Sequence, residues 1–161
     1  MKVYISGKIG EEVISEATRQ KFARAEAMLK AKGYEVFNPS DEKWENLLGG
    51  EYETDRLLKC RFIDGSFPDF YAYALLRNQM VLSTKDAVYF LEDWDKSSGA
   101  GSEHSFAMAT GKKILFASRE QAALYLEEEW RKANKAMNMR TSRHKYVDLH
   151  LHELWMPIEQ K

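Results

Sequence analysis

The sequence predicts a doubly wound α/β fold, in which a parallel sheet carries helices on both faces. Short apolar segments alternate along the chain with longer amphipathic segments of helical period. The first strand, the first helix and the second strand fit within 37 residues, which is typical of a βαβ unit with parallel strands. The segment Asp86–Leu91 carries five consecutive apolar or aromatic residues, as expected of a strand covered on both faces.

Two strands and one helix are predicted before residue 40. Val3–Ser6 is short and apolar, which indicates a buried strand. Residues 11–32 place apolar side chains at helical spacing, and Gly33 stands where a glycine commonly ends a helix. Tyr34–Phe37 is the second predicted strand, and Asn38-Pro39-Ser40 stops it.

Residues 41–70 are predicted to be an insert between the second strand and the next helix. Apolar side chains at 44–48 indicate a short helix. Gly49-Gly50 and Asp64–Pro68 are expected to interrupt regular structure. A helix is then predicted from about Phe70 to Leu82.

The third and fourth strands are predicted to enclose a polar loop and a helix. Asp86–Leu91 is the third strand and Ile114–Ala117 is the fourth. Ser102 is expected to be the N-cap of a helix from Glu103 to Thr110, which Gly111 ends. After the fourth strand, Ser118 and Gln121 have the spacing of a capping box that opens a long amphipathic helix.

From about residue 139 the chain forms a C-terminal extension whose structure the pattern leaves open. Residues 146–152 alternate weakly, as a strand does. This segment contains four residues of types that bind metals, Asp148, His150, His152 and Glu153. If it were a strand, these residues could place three types of metal ligand on one face. If it is a helix or an exposed segment, the same residues need no metal to explain them. The second interpretation is favoured, and no metal is predicted.

Composition limits the classes of partner. The 161 residues are predicted to form a single domain with the insert and the extension. With 24 Lys and Arg against 25 Asp and Glu, the net charge is −1, unlike that of most nucleic-acid-binding domains. The only cysteine, Cys60, indicates a reducing compartment. Without an apolar run of bilayer length or a secretory signal, we expect a cytoplasmic protein without a membrane partner.

Two polar loops are expected to lie side by side in this Rossmann-like or flavodoxin-like sheet. If the strand order is 2-1-3-4, the direction in which the strands are added reverses between the first and third strands. Ligands bind such sheets at the carboxyl ends of the strands flanking that reversal. The loops there are 7–10 and 93–102, and both are rich in glycine and polar side chains.

The second of these loops carries groups suited to chemistry. Gly99 and Gly101 let a ligand approach the backbone closely, and serines 97, 98 and 102 supply hydroxyls. Glu103, in the first turn of the predicted helix, is expected to be kept ionised by the helix dipole and so to act as a nucleophile or base. The alternative is an ordinary glutamate that complements the dipole.

Several motifs together resemble the nucleoside 2-deoxyribosyltransferase family over about residues 2–117, apart from the insert. They are Tyr4–Ile9, Asn38-Pro39, Asp86–Val88, Trp94–Ala100, the run Gly99–Ala107, and Gly111–Ile114. The resemblance implies a reaction at an N-glycosidic bond. It gives Glu103 the role of the nucleophile that attacks the anomeric carbon, and places Tyr4 beside it. Tyr4 as a simple core aromatic is the alternative.

The same resemblance implies a substrate subclass. Ser97 stands six residues before Glu103, where transferases acting on free nucleosides commonly carry an acidic residue. The related 2′-deoxynucleoside 5′-phosphate N-hydrolases carry serine there, and a hydroxyl can donate to a phosphate that a carboxylate would repel. Lys8 is expected to help hold the phosphate. The remaining predicted substrate-binding residues are Ser6, Gly7, Ile9, Asp93, Gly99 and Gly101.

The sequence departs from the family pattern at Asn78, where members often carry an aspartate that assists proton transfer at the base. Asparagine can hydrogen-bond but cannot shuttle a proton, so Asp93 and Asp95 are candidate substitutes.

The resulting prediction is an enzyme that releases the base of a deoxynucleoside monophosphate without a cofactor. A base-exchanging transferase and a catalytically silent nucleotide-binding module remain as alternatives. The resemblance also implies a homo-oligomer.

Overall fold

The computed structural model describes residues 1–10, 13–57, 66–137 and 141–158, apart from the side chain of residue 137. Its four strands form one parallel sheet, as predicted, and their order is β2-β1-β3-β4, the order considered above. The reversal between β1 and β3 is therefore where it was expected. The strands are β1 (Lys2–Ser6), β2 (Glu35–Phe37), β3 (Ala87–Phe90) and β4 (Lys113–Phe116).

Helices cover both faces of this sheet, as the doubly wound prediction requires. In the described part of the chain they are α1 (Glu16–Ala31), α2 (Glu42–Leu57), α3 (Phe70–Ser83), α4 (Ser98–Ala109), α5 (Arg119–Met137) and α6 (Arg143–Leu154), with a 3₁₀ turn at Trp94–Lys96. On one face, α1 packs Phe22, Ala25 and Leu29 against β1 and β3. On the other, α3 to α6 each bury at least one apolar residue. Alternate side chains of β1 and β3 point into the two layers.

The insert contains more helix than predicted. The α2 helix runs for 16 residues, and Gly49 and Gly50 lie inside it rather than ending it. Glycine in a helix costs about 1 kcal/mol relative to alanine. Long-range contacts offset this cost: Leu48 is buried, and Glu45 and Glu51 pair with arginines of α1 and α3. Such contacts leave no signal in the local sequence.

The start of α4 also differs from the prediction. The N-cap is Ser97, whose hydroxyl accepts the Ala100 N–H at 3.3 Å, and not Ser102. Gly99 and Gly101 therefore lie in the helix. A side chain at Gly99 would approach Leu75 Cδ2 to 3.3 Å, so the small residue lets α4 lie close to α3. Gly99, which suggested a loop, therefore allows close packing of two helices.

The capping box before α5 forms in part. The Gln121 N–H donates to the Ser118 hydroxyl at 3.3 Å, as predicted. The Gln121 side chain, however, donates to the Glu92 carbonyl at 3.0 Å instead of returning to Ser118. The Gln121 side chain therefore donates to a distant carbonyl after β3 instead of accepting the backbone N–H of Ser118.

The C-terminal extension forms helix α6, so residues 146–152 do not alternate between two faces as in a strand. After α6 the chain runs along the free edge of β4. The Met156 N–H donates to the Phe116 carbonyl at 2.8 Å, and the Tyr89 hydroxyl donates to the Met156 carbonyl at 2.6 Å. These contacts cover an edge that would otherwise expose unpaired backbone groups.

Within the described ranges, no helix combines the length and apolar character that a membrane crossing needs. Cys60 and residues 58–65 of the predicted insert lie outside the described residues.

Candidate active site

A cavity of about 610 Å³ opens at the carboxyl ends of β1 and β3. Its walls come from the loop after β1, the N-terminal end of α4, and helices α2 and α3. This is the point of strand reversal at which the sequence analysis expected a ligand. Of the predicted site residues, the lining includes Gly7, Lys8, Ile9, Asn78, Ser97, Gly99 and Glu103.

The Glu103 carboxylate lies at the inner end of the cavity, and two hydroxyls fix it. Tyr4 Oη donates to Oε1 and Ser6 Oγ donates to Oε2, each at 2.6 Å. Tyr4 and Ser6 are two residues apart on β1, so both point to the face that α4 covers. Tyr4 is fully buried, and Glu103 is only 6% exposed. Ser6, predicted as a substrate contact, is a direct partner of the carboxylate.

Burial raises the pKa of Glu103 from 4.5 to about 7, and the hydrogen bonds from Ser6 and Tyr4 oppose the rise. The expected cause of an ionised carboxylate was therefore wrong. Glu103 lies six residues beyond the N-cap Ser97, outside the first turn in which the helix dipole acts. Near neutral pH the group exists in both forms. Burial, with the charge of Glu103, raises the pKa of Tyr4 well above its usual value, so Tyr4 remains a donor.

The outer part of the cavity is suited to an anion. The side chains of Lys8 and Lys96 are exposed there, and Ser97 lies between the 3₁₀ turn and α4. The Ser97 oxygen caps the helix as an acceptor, so its proton remains available to a ligand. The first turn of α4 adds backbone N–H groups and the positive end of its dipole. Lys96 was missed because a lone lysine in a polar loop carries no distinctive signal.

The predicted glycines have different roles. A Cβ at Gly99 would lie 3.7 Å from both the Ser97 hydroxyl and the Tyr71 hydroxyl, so this position keeps the cavity open. A Cβ at Gly7 would lie 2.8 Å from Leu91 Cδ1, so Gly7 is needed for packing beneath the loop. Gly101 is not among the lining residues, and a Cβ there would meet nothing within 4 Å. The structure therefore does not bring Gly101 together with the predicted residues that line the cavity.

Asn78 lies on the cavity side of α3, as the resemblance implied. Its side-chain oxygen accepts the Trp44 indole N–H at 3.2 Å. The amide group can also donate hydrogen bonds through its nitrogen.

Asp93 does not line the cavity, contrary to its expected role in substrate binding. Its carboxylate accepts the Lys8 N–H at 3.2 Å and the Lys21 ammonium at 2.6 Å. Asp95, the other candidate acid, is exposed on the 3₁₀ turn and also lies outside the lining. Neither aspartate is placed to replace an acid at Asn78.

Residues 1–116 match the family model described as a domain of unknown function, DUF4406. The chain belongs to this family. No curated protein and no solved structure matches the chain.

The DUF4406 match ends with β4, so it contains the four strands and every residue that lines the cavity. Helices α5 and α6 lie beyond it. Glu103 with its two hydroxyl partners therefore belongs to the part of the chain that defines the family.

One wall of the DUF4406 cavity was missed by the sequence analysis. It consists mainly of apolar and aromatic side chains from α2, α3 and the residues before them: Pro39, Trp44, Leu48, Phe70, Tyr71, Ala74 and Leu75. The only available signal was the aromatic content around residues 44 and 70–73. It did not distinguish a ligand-binding wall from an ordinary helix interface.

Proposed function

We propose that this protein cleaves the N-glycosidic bond of a 2′-deoxynucleoside 5′-monophosphate and releases the free base. The proposal rests mainly on the buried Glu103 carboxylate, which Tyr4 and Ser6 hold by hydrogen bonds at the inner end of a cavity. The outer end presents lysines and a helix N-terminus, which suit a phosphate. The resemblance to deoxyribosyltransferases and their nucleotide-hydrolase relatives supplies the reaction type.

In the first step, ionised Glu103 attacks the anomeric carbon of the sugar. A bond forms between a carboxylate oxygen and C1′, and the C1′–N bond breaks with its electron pair leaving on the base. Tyr4 and Ser6 keep the carboxylate oriented for this attack, which reduces the entropic part of the barrier. The base takes a proton as it leaves, from solvent or from a group on the substrate, because Asn78 has none to give.

In the second step, water attacks the glycosyl ester. A bond forms between the water oxygen and C1′, the bond to Glu103 breaks, and the water proton is released to solvent. The products are the free sugar phosphate and the regenerated carboxylate. Covalent catalysis of this kind replaces one difficult step by two easier ones. If a second base captures the intermediate instead of water, the same site exchanges bases.

The proposal is tested by incubating the protein with the four common deoxynucleoside 5′-monophosphates and following free base by chromatography. We expect base release from at least one of them. Glu103→Gln keeps the shape and one acceptor oxygen but removes the nucleophile, so turnover should fall by about 10³-fold or more while binding persists. Glu92→Gln, at an exposed carboxylate after β3, is the matched control and should retain full activity.

Three outcomes would contradict the proposal. Near-normal turnover in Glu103→Gln would remove the nucleophile assignment. Base release only when a second base is added would identify a transferase. Tight nucleotide binding by the wild type without release of base would identify a silent binding module.

The phosphate part of the proposal has its own test in Ser97→Asp. A carboxylate at this position would repel a phosphate, and a hydrogen bond to a charged group contributes about 1.5–3 kcal/mol. We therefore expect KM for the monophosphate to rise about tenfold or more, and KM for the free nucleoside to change much less. Equal effects on the two substrates would reject the phosphate role.

A further inference from the structure

Two charged residues outside the cavity lining connect the loops that carry its anion-binding groups. Lys21 Nζ lies 2.6 Å from Asp93 Oδ2 and donates to the Lys8 carbonyl at 2.8 Å. Asp93 Oδ1 accepts the Lys8 N–H at 3.2 Å. We propose that Lys21 and Asp93 are positioning residues that set the separation of Lys8 and Ser97 around the anionic group of the ligand. This inference rests on the phosphate subsite of the proposed function.

The contacts assign Asp93 to the protein and not to the ligand. Each of its carboxylate oxygens already accepts a hydrogen bond, one from a backbone N–H and one from an ammonium. The Lys21 and Asp93 side chains are 26% and 31% exposed, so the pair is partly shielded from solvent. A pair in this setting, with additional hydrogen bonds, is geometrically better defined than an open surface pair.

The pair fixes the backbone of Lys8 on both sides. Its N–H is bound by Asp93 and its carbonyl by Lys21, so the side chain is the part of Lys8 left to contact a ligand. Lys21 belongs to α1, which packs under the sheet, and this anchors the first loop to a rigid element.

Asp93 is also connected to Ser97, through the backbone hydrogen bonds of the 3₁₀ turn. The Asp93 carbonyl accepts the Lys96 N–H at 3.1 Å, and the Trp94 carbonyl accepts the Ser97 N–H at 3.1 Å. The 3₁₀ turn therefore transmits the position of Asp93 to the N-cap of α4. An anion held between Lys8 and Ser97 requires a fixed distance between the loop after β1 and the 3₁₀ turn. The Lys21–Asp93 pair joins this loop to this turn.

The test compares binding of deoxynucleoside 5′-monophosphates with binding of the corresponding free nucleosides by titration calorimetry. Lys21→Met and Asp93→Asn should each weaken binding of the monophosphate about tenfold and change that of the nucleoside less than twofold. The double variant should bind no more weakly than the weaker single variant, because the two residues act as a unit. Lys21→Arg retains the donors and should restore most of the affinity.

Lys30→Met is the matched control, since it removes an i,i+4 ion pair with Glu26 on the same helix and should leave both affinities unchanged. Equal weakening of nucleotide and nucleoside, additive single effects, or unchanged affinity in the variants would overturn the positioning role. All titrations are made in the Glu103→Gln background, which lacks the proposed nucleophile, so that binding is measured without turnover. Parent protein with Lys21 and Asp93 intact that binds monophosphates no better than nucleosides would overturn the positioning role as well. Wild type that releases no base, with monophosphate still bound tightly by the parent protein, would contradict the hydrolase and leave the positioning test intact.

Discussion

Two sides of the cavity are built in different ways. The floor, defined as Tyr4, Ser6 and Glu103, lies in the core, and each of its side-chain oxygens has a hydrogen-bonding partner across the β1–α4 contact. The helical wall, defined as the lining residues of α2 and α3, includes side chains that are much more exposed. Phe70 is 45% exposed and Tyr71 is 57% exposed.

This difference in burial suggests that the floor and the wall have different roles under the proposed function, the floor in the reaction and the wall in binding. The floor holds an ionisable group in a low-dielectric environment, where small changes in partners alter its charge strongly. Under the proposed function, the apolar area of the wall would receive the base, and its residues would contribute graded affinity. We expect substitutions on the floor to change kcat and the pH dependence, and substitutions on the wall to change KM. The following experiments test that division.

The largest effect is expected on stability at Glu103. Its folded-state pKa of about 7 exceeds the ordinary value of 4.5, so the native state binds more protons than the unfolded state between these values. The protonated group favours folding below pH 4.5, and that contribution is lost as pH rises to about 7. The full shift corresponds to about 3 kcal/mol.

Glu103→Gln carries no such titration and should gain stability over the wild type as pH rises. We expect its melting temperature to exceed that of the wild type at pH 8 by several degrees more than at pH 5. Thermal unfolding at the two pH values measures this, with Glu92→Gln as an exposed control. A difference that is constant with pH would contradict the buried, raised pKa.

The second effect concerns Tyr4→Phe, which removes one donor from the floor. Loss of a hydrogen bond to the ionised form raises the Glu103 pKa further above 7, so the acid limb of kcat/KM should move to higher pH. At pH 6 we expect a loss of about 10- to 100-fold, smaller at pH 8. The same change on the wall, Tyr71→Phe, should leave the profile in place. A parallel drop at all pH values would show that Tyr4 acts otherwise.

The third effect is on the wall. Trp44→Ala removes an indole that lines the cavity and donates to Asn78, so KM should rise about tenfold with kcat within a few-fold of wild type. Steady-state kinetics on the best monophosphate provide the measurement. Leu47→Ala, on the exposed side of α2, is the control. If kcat falls and KM stays constant, the division between floor and wall fails.

The smallest effect is expected for Asn78→Asp, at a wall residue that the resemblance places near the leaving base. A protonated aspartate near the leaving base can act as a general acid. Turnover should rise severalfold at low pH and decline as the new carboxyl ionises, which makes the profile bell-shaped. Profiles of kcat against pH for wild type and variant decide this. Profiles that coincide in height and shape would limit Asn78 to positioning.

The sequence predicted part of the site. The resemblance placed Tyr4 beside Glu103, and the structure contains that hydrogen bond. Ser6 was predicted only as a substrate contact, so its hydrogen bond to Glu103 was missed. The sequence did not predict the partner of Asp93, because Lys21 lies 72 residues away on another element. It also missed the wall, since aromatic residues in the insert have the same pattern whether they line a cavity or pack against a helix. The expectation of a homo-oligomer and the assignment of the chain to one domain stay predictions.

By itself the sequence determined the alternation of strands and helices and the parallel sheet, because hydrophobic periodicity and the rules of parallel connections are local or topological. Gly33 and Gly111, with φ of 81° and 67°, mark helix ends as predicted, since those conformations disfavour any side chain. Only the tertiary structure decided where α4 begins, that α2 continues through Gly49 and Gly50, and that Glu103 titrates near 7. These depend on close helix packing, long-range ion pairs and removal of water from a carboxylate, and each arises from residues far apart in the chain.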